Sequence, residues 1–142
     1  MGNIESAVDY KKLAIMAFEA SENAYSPYSG FCVGAALLCS DGSIYLGCNI
    51  ENSSYSATIC AERVAIQKAV SEGKRDFRAI AIVGGKNGVF SAPCYPCGAC
   101  RQVMSEFSKN IDVEIVLLYG DKKSPNIEKY HLSQLLPKSF SL

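Results

Sequence analysis

The sequence predicts a layered α/β fold with a mixed sheet, on three observations. An Ala-rich stretch near the start repeats its apolar residues at helical spacing. Two apolar runs joined through Asp41-Gly42 read as a tight hairpin. Two further apolar runs, 79–83 and 113–118, flank a segment whose apolar positions share one helical face.

The first helix is expected over about residues 6–24, with Leu13, Met16, Ala17 and Ala20 inward. Tyr25-Ser26-Pro27-Tyr28-Ser29-Gly30 breaks it. Strands are expected over 31–38 and 44–48, on either side of Ser40-Asp41-Gly42-Ser43. A helix over 60–71 should stop near Gly73. Residues 79–83, Ala-Ile-Ala-Ile-Val, read as a buried strand, and 113–118 as another. The helix between them, 97–107, places Cys100, Val103, Met104 and Phe107 at i, i+3, i+4 and i+7. The tail reads as a short helix from His131 to Pro137, then Ser139-Phe140-Ser141-Leu142. A length of 142 residues suits one domain over 1–142.

Composition narrows the function. Apolar residues make up 49% of the chain, enough for a real core. No apolar run approaches a membrane span, and the first ten residues do not read as a signal peptide. Met1-Gly2-Asn3-Ile4-Glu5-Ser6 fits a loose myristoylation pattern, but no polybasic segment follows, so it is read as an ordinary soluble N-terminus. Fourteen basic residues balance fourteen acidic ones. Proteins that grip phosphate backbones draw affinity from a basic excess, so a nucleic-acid partner is not expected. Seven cysteines cannot all pair within one chain. They read as reduced thiols of a cytoplasmic protein, where cysteine clusters hold metal or do chemistry. Gly84-Gly85-Lys86-Asn87-Gly88 lacks Walker A spacing. His131, the one histidine, reads as a solvated tail residue rather than the base of a nucleophilic enzyme.

The informative pieces are Cys60-Ala61-Glu62 and Pro96-Cys97-Gly98-Ala99-Cys100. Three thiolates from two helix starts suit Zn²⁺, at roughly 2.3 Å from each sulfur. The partial positive charge of helix N-termini favours the deprotonated thiols that a metal needs. Three protein ligands leave the fourth tetrahedral position to water, the mark of a catalytic zinc. Glu62, two residues after a ligand, is placed to move protons. Three thiolates also leave zinc net negative. Arg63, three residues after Cys60, is expected to offset that charge by donating to ligand sulfurs.

Further motifs stand in order around these: Pro27-Tyr28-Ser29-x-Phe31-x-Val33-Gly34-Ala35-Ala36, Gly47-Cys48-Asn49-Ile50-Glu51-Asn52, and Cys100-Arg101-Gln102-Val103. Together with Cys60-Ala61-Glu62-Arg63 they resemble the small, homotetrameric, three-cysteine cytidine deaminases, over about 25–140. The resemblance implies a three-layer α/β/α sandwich with a mixed five-stranded sheet and one Zn²⁺ per subunit on Cys60, Cys97 and Cys100. It implies hydrolysis of free cytidine and deoxycytidine to uridine and deoxyuridine with release of ammonia, in pyrimidine salvage. Glu62 would serve as the proton shuttle. Asn49 and Glu51 would bind ribose, and strand alternation puts both on one side. Phe31, Ala61 and Phe140 would complete the substrate pocket, Phe140 from a neighbouring subunit of a homotetramer.

Three rivals use the same residues. Cys94 precedes Cys97 at C-x-x-C spacing, so Cys60, Cys94, Cys97 and Cys100 form a closed Cys₄ site on paper. Cys97 and Cys100 alone make a dithiol redox pair. The zinc motif also serves blasticidin-type and nucleic-acid-editing deaminases, against which Asn49, Glu51 and the neutral charge argue.

Overall fold

The computed structural model describes residues 7–142. The myristoylation-like Met1–Ser6 segment lies outside the described residues.

The first helix, α1 (Tyr10–Ser21), starts where Asp9 Oδ1 accepts from Lys12 N at 3.0 Å. This cap satisfies one of the orphan donors of the first turn. It is shorter at both ends than the periodicity suggests. β1 (Phe31–Cys39) and β2 (Ile44–Cys48) form the expected hairpin. A single 3₁₀ turn (Tyr55–Ala57) precedes α2 (Ala61–Ser71). β3 (Phe77–Lys86) extends past the expected 79–83 at both ends. Then follow α3 (Gly98–Glu106), β4 (Glu114–Asp121), β5 (Ser124–His131) and a one-turn α4 (Leu132–Leu135). The tail helix is thus shorter than 131–137, and His131 closes a strand.

The five strands run in the order β2-β1-β3-β4-β5. β3 and β4 pair in parallel and the other neighbours antiparallel, so the sheet is mixed. The parallel pair needs a crossover, which α3 provides. Alternation along the strands sends side chains to two cores. Val33, Ala35, Leu37, Ile80, Ile82, Ile115 and Leu117 face α2 and α3. Ala36, Ala79, Ala81, Val83, Val116 and Leu118 face Leu13, Ala14, Ala17 and Phe18 of α1. The result is the expected α/β/α layering. Among the described residues, no helix is long and apolar enough to cross a membrane.

Two glycines set how closely helices approach. A Cβ on Gly34 would run into the backbone of α1 at Ala17 and Ser21. A Cβ on Gly47 would meet Ala61 O and lie 2.6 Å from Ala65 N. α2 therefore rests its first turn directly on β2. Register brings Phe31 opposite Lys86 and Gly34 opposite Cys48, so the start of β1 and the ends of β2 and β3 share one end of the sheet. Both ligand helices start there. His131 pairs with Glu114, which pairs with Ala79, at the opposite end.

Candidate active site and metal centre

Cys60 and Cys97 are the N-cap residues of α2 and α3, both in extended conformation. Cys100 lies one turn into α3 and is buried. Their sulfurs lie within 4.8 Å of one another, with Cys60 Sγ and Cys97 Sγ 3.7 Å apart. Zn–S bonds of 2.3 Å in a tetrahedron require sulfurs roughly 3.8 Å apart. The donor set therefore fits Zn²⁺ in both chemistry and span. As thiols, Cys60 has its pKa lowered to about 5, first by the hydrogen bond from Cys100 and then by Arg63 and Cys97. Cys100 is raised by that same bond and by burial.

Cys94 does not join the cluster. Among the described residues, the metal-ligating group is Cys60, Cys97 and Cys100. Cys94 turns towards the strand, where a Cβ on Gly84 would lie 2.7 Å from its sulfur and 3.1 Å from the Phe31 ring. Burial pushes its thiol up to about 12. This removes the geometry of a closed Cys₄ site. The approach of Cys60 equally leaves the dithiol reading without a reason.

Glu62 is only 4% exposed. It lies in the first turn of α2, and burial pushes its carboxyl up to about 7. Its own backbone N–H opposes that shift, and the nearby Cys60 adds to it. Arg63 NH2 donates to Cys60 Sγ at 3.5 Å. Its pKa is raised by the bonds to Cys60 and Cys100.

Asn49 and Glu51 occupy an extended segment held from both sides. Tyr25 N donates to Asn49 O, Glu51 N to Tyr25 O, and Ile50 pairs with Ile59. Both side chains turn towards 28–33. Asn49 is 8% exposed, accepts from Val33 N at 2.9 Å and donates to Phe31 O at 2.7 Å. Glu51 accepts from Tyr28 N, Ser29 N and Ser29 Oγ. The Ser29 hydroxyl is the chief cause of its lowered pKa. Ser29 Oγ also accepts from Phe31 N at 2.9 Å, which ties Glu51 to the aromatic. The sequence reading missed Ser29, although its place two residues before Phe31 is the usual signature of a hydroxyl turn.

Phe31 is 40% exposed at the mouth rather than in the core. Ala61 is fully buried beside Cys60. Phe140 is 69% exposed and does not pack into its own domain's interior. His131 lies at the far end of the sheet, with Nδ1 3.2 Å from Asp112 O, and takes no part.

Comparison with known proteins agrees with this geometry. Residues 8–116 match the family model for the cytidine and deoxycytidylate deaminase zinc-binding region. The cytidine deaminase of Sporosarcina psychrophila is 51% identical over 135 residues, 94% of this chain and 93% of that protein. The cytidine deaminase of Halalkalibacterium halodurans is 48% identical over 136 residues, 94% of this chain and 96% of its own. The crystal structure of cytidine deaminase from Burkholderia pseudomallei superimposes with a TM-score of 0.81 at 42% identity, covering 94% of this chain and all of that one. With fold, thiol cluster and relatives in agreement, the chain belongs to the cytidine deaminases, zinc-dependent hydrolytic enzymes.

Proposed function

We propose that this enzyme converts free cytidine and deoxycytidine to uridine and deoxyuridine, releasing ammonia in pyrimidine salvage. The observation that supports this best is a buried glutamate beside three sulfurs where two helix N-termini meet.

Zinc held by Cys60, Cys97 and Cys100 supplies the activation of water near neutral pH. Glu62 accepts a proton from the attacking water and passes it to ring N3 while C4 gains the oxygen. A second proton travels by the same carboxylate to the exocyclic nitrogen as the C4–N bond breaks. One water is consumed and one ammonia leaves. A carboxyl near pH 7 suits this task, because it both holds and releases protons readily there. Arg63 draws charge from the Cys60 sulfur and so limits how far the thiolates weaken the metal.

Asn49 and Glu51 bind the sugar. An amide oxygen has two lone pairs and an amide nitrogen two N–H groups, so Asn49 keeps one of each after serving β1. Glu51 keeps acceptor capacity beyond its three bonds. Phe31 walls the pyrimidine. Ala61 contributes through its backbone, because the first N–H of a helix has no intrahelical carbonyl to bond. The balanced charge favours a free nucleoside over a polynucleotide. Seven free thiols suit a reducing, cytoplasmic setting.

Residues 1–142 act as one deaminase domain within a homotetramer. Tyr25, Tyr28, Tyr55 and Phe140 are each exposed, aromatic side chains suited to burial between subunits. Phe140 stacks on the pyrimidine of a neighbour's pocket, where closure excludes water from the reacting ring.

Cytidine absorbance followed with purified protein tests the reading. Turnover should stop with a chelator and return with Zn²⁺; a zinc-loaded protein without turnover overturns it. Mixing Glu62→Gln with Phe140→Ala under subunit exchange should restore part of the activity. No recovery would place Phe140 in its own subunit's site or outside any site.

A further inference from the structure

α3 positions more than Cys97 at its cap and Cys100 in its first turn, because the two residues after Cys100 reach the C-terminal segment. Arg101 Nε donates to Pro96 O at 2.7 Å, and its NH1 donates to Leu135 O at 2.8 Å. Pro96 is buried and immediately precedes Cys97. Gln102 Nε2 donates to Phe140 O at 3.1 Å. Leu135 and Leu136 pack against the α2/α3 core, and beyond them every residue is exposed. Lys138, at φ 53°, turns the chain between the two anchors. Among the described residues, the Gln102 bond is the hydrogen bond that holds the tail after α4.

We propose that Arg101 and Gln102 are positioning residues that couple the loop before Cys97 to the tail presenting Phe140. The consequence for substrate rests on the composite-pocket reading above. Arginine suits the first post because its planar fork offers two donors in fixed geometry, one for each carbonyl. A lysine ammonium cannot reproduce that fork. Gln102 suits the second because it fixes the backbone of the residue whose ring faces outward. A ring fixed in advance spares the ordering entropy that a mobile tail would pay when substrate binds.

The test uses zinc-loaded Gln102→Ala, Arg101→Lys and Phe140→Ala, with hydrogen exchange, zinc release to a chromogenic chelator and cytidine kinetics. Gln102→Ala should speed exchange of the tail amides and leave zinc release unchanged. It should raise KM by about three- to tenfold, the worth of one hydrogen bond, with kcat unchanged. Arg101→Lys should loosen both the tail and the 93–97 loop and speed zinc release. Tail exchange equal to the parent in both variants overturns the coupling. A raised KM in Phe140→Ala but not in Gln102→Ala also overturns it. A loosened tail with KM unchanged in both Gln102→Ala and Phe140→Ala keeps the coupling and removes the composite pocket instead. Should Arg101→Lys fail to fold, Gln102→Ala still decides.

Discussion

Glu62 and Glu51 are the same side chain in opposite environments. Glu62 is buried in the first turn of α2, and burial lifts its carboxyl to about 7. Glu51 is half-buried at the rim, and hydrogen bonds from Ser29 and Tyr28 hold its charged form. The floor of the site is made by core packing, with Gly47 letting α2 close onto β2. The rim is made by loop hydrogen bonds. A group that must exchange protons gains from the first setting, and one that must stay a charged acceptor gains from the second. Changes in the floor should therefore act on turnover, and changes in the rim on binding.

The largest expected effect is at the floor. Glu62→Gln keeps the shape and removes the proton traffic. Activity should fall by ~10²–10⁴-fold, the range for a general acid–base group. One zinc per chain should remain by elemental analysis. A loss of only a few-fold with zinc retained would break the contrast, because buried Glu62 would then be structural.

Asn49 blurs the contrast, since it is a rim residue with a buried side chain. Asn49→Ala strands Val33 N–H and Phe31 C=O. Leaving a buried polar group unpaired costs roughly 1–3 kcal/mol. Thermal unfolding should show a loss of that size, together with a weaker specificity constant for cytidine. A variant as stable as the parent would mean that water replaces the amide, and the ribose role could then be read cleanly from kinetics.

These two residues also show what the sequence made legible. Cys60 to Arg63 and Cys97 to Cys100 each span one helical turn, and spacing reports such relations directly, whereas the meeting of the two segments, 37 residues apart, is carried by the family resemblance. Placement of β5 was not legible. Ser-Pro-Asn-Ile-Glu-Lys-Tyr-His carries no apolar run, and Pro125 reads as a breaker. Such a sequence is tolerable because β5 is an edge strand, half of it in solvent, where a missing N–H costs little. The bonds from Arg101 to Leu135 and from Gln102 to Phe140 span 34 and 38 residues, and no local pattern reports them. Nor does a local pattern report that Phe31, an apolar residue at a strand start, stands 40% exposed opposite Lys86 at the sheet's open end.

Glu51→Gln should act on the rim alone. Cytidine should bind more weakly, with kcat nearly unchanged and zinc retained. The pH dependence supplies a sign. The folded-state pKa of Glu51 is lowered, so its contribution to stability is present above the unfolded value of ~4.3. That contribution is lost as pH falls through the folded value. Melting curves of parent and variant should converge in acid and separate towards neutral pH. Curves that stay parallel would show that the Ser29 and Tyr28 bonds do not favour the charged form.

The smallest effect is expected at Cys94, which tests whether the floor ends where the geometry places its edge. Cys94 is close enough to the cluster to be raised by Glu62, Cys60 and Cys97 after burial itself. It is nonetheless outside the group whose sulfurs converge. Its sulfur fills the space over Gly84 below Phe31. Cys94→Ser should therefore keep one zinc per chain and most turnover, measured by elemental analysis and cytidine absorbance. What it should lose is a little stability, because an unpaired buried hydroxyl costs roughly 1–3 kcal/mol in protein series. Cys94→Ala avoids that hydroxyl and should be milder still. If either variant loses zinc, the fourth position belongs to Cys94, the site is closed, and the division between a catalytic floor and a binding rim fails.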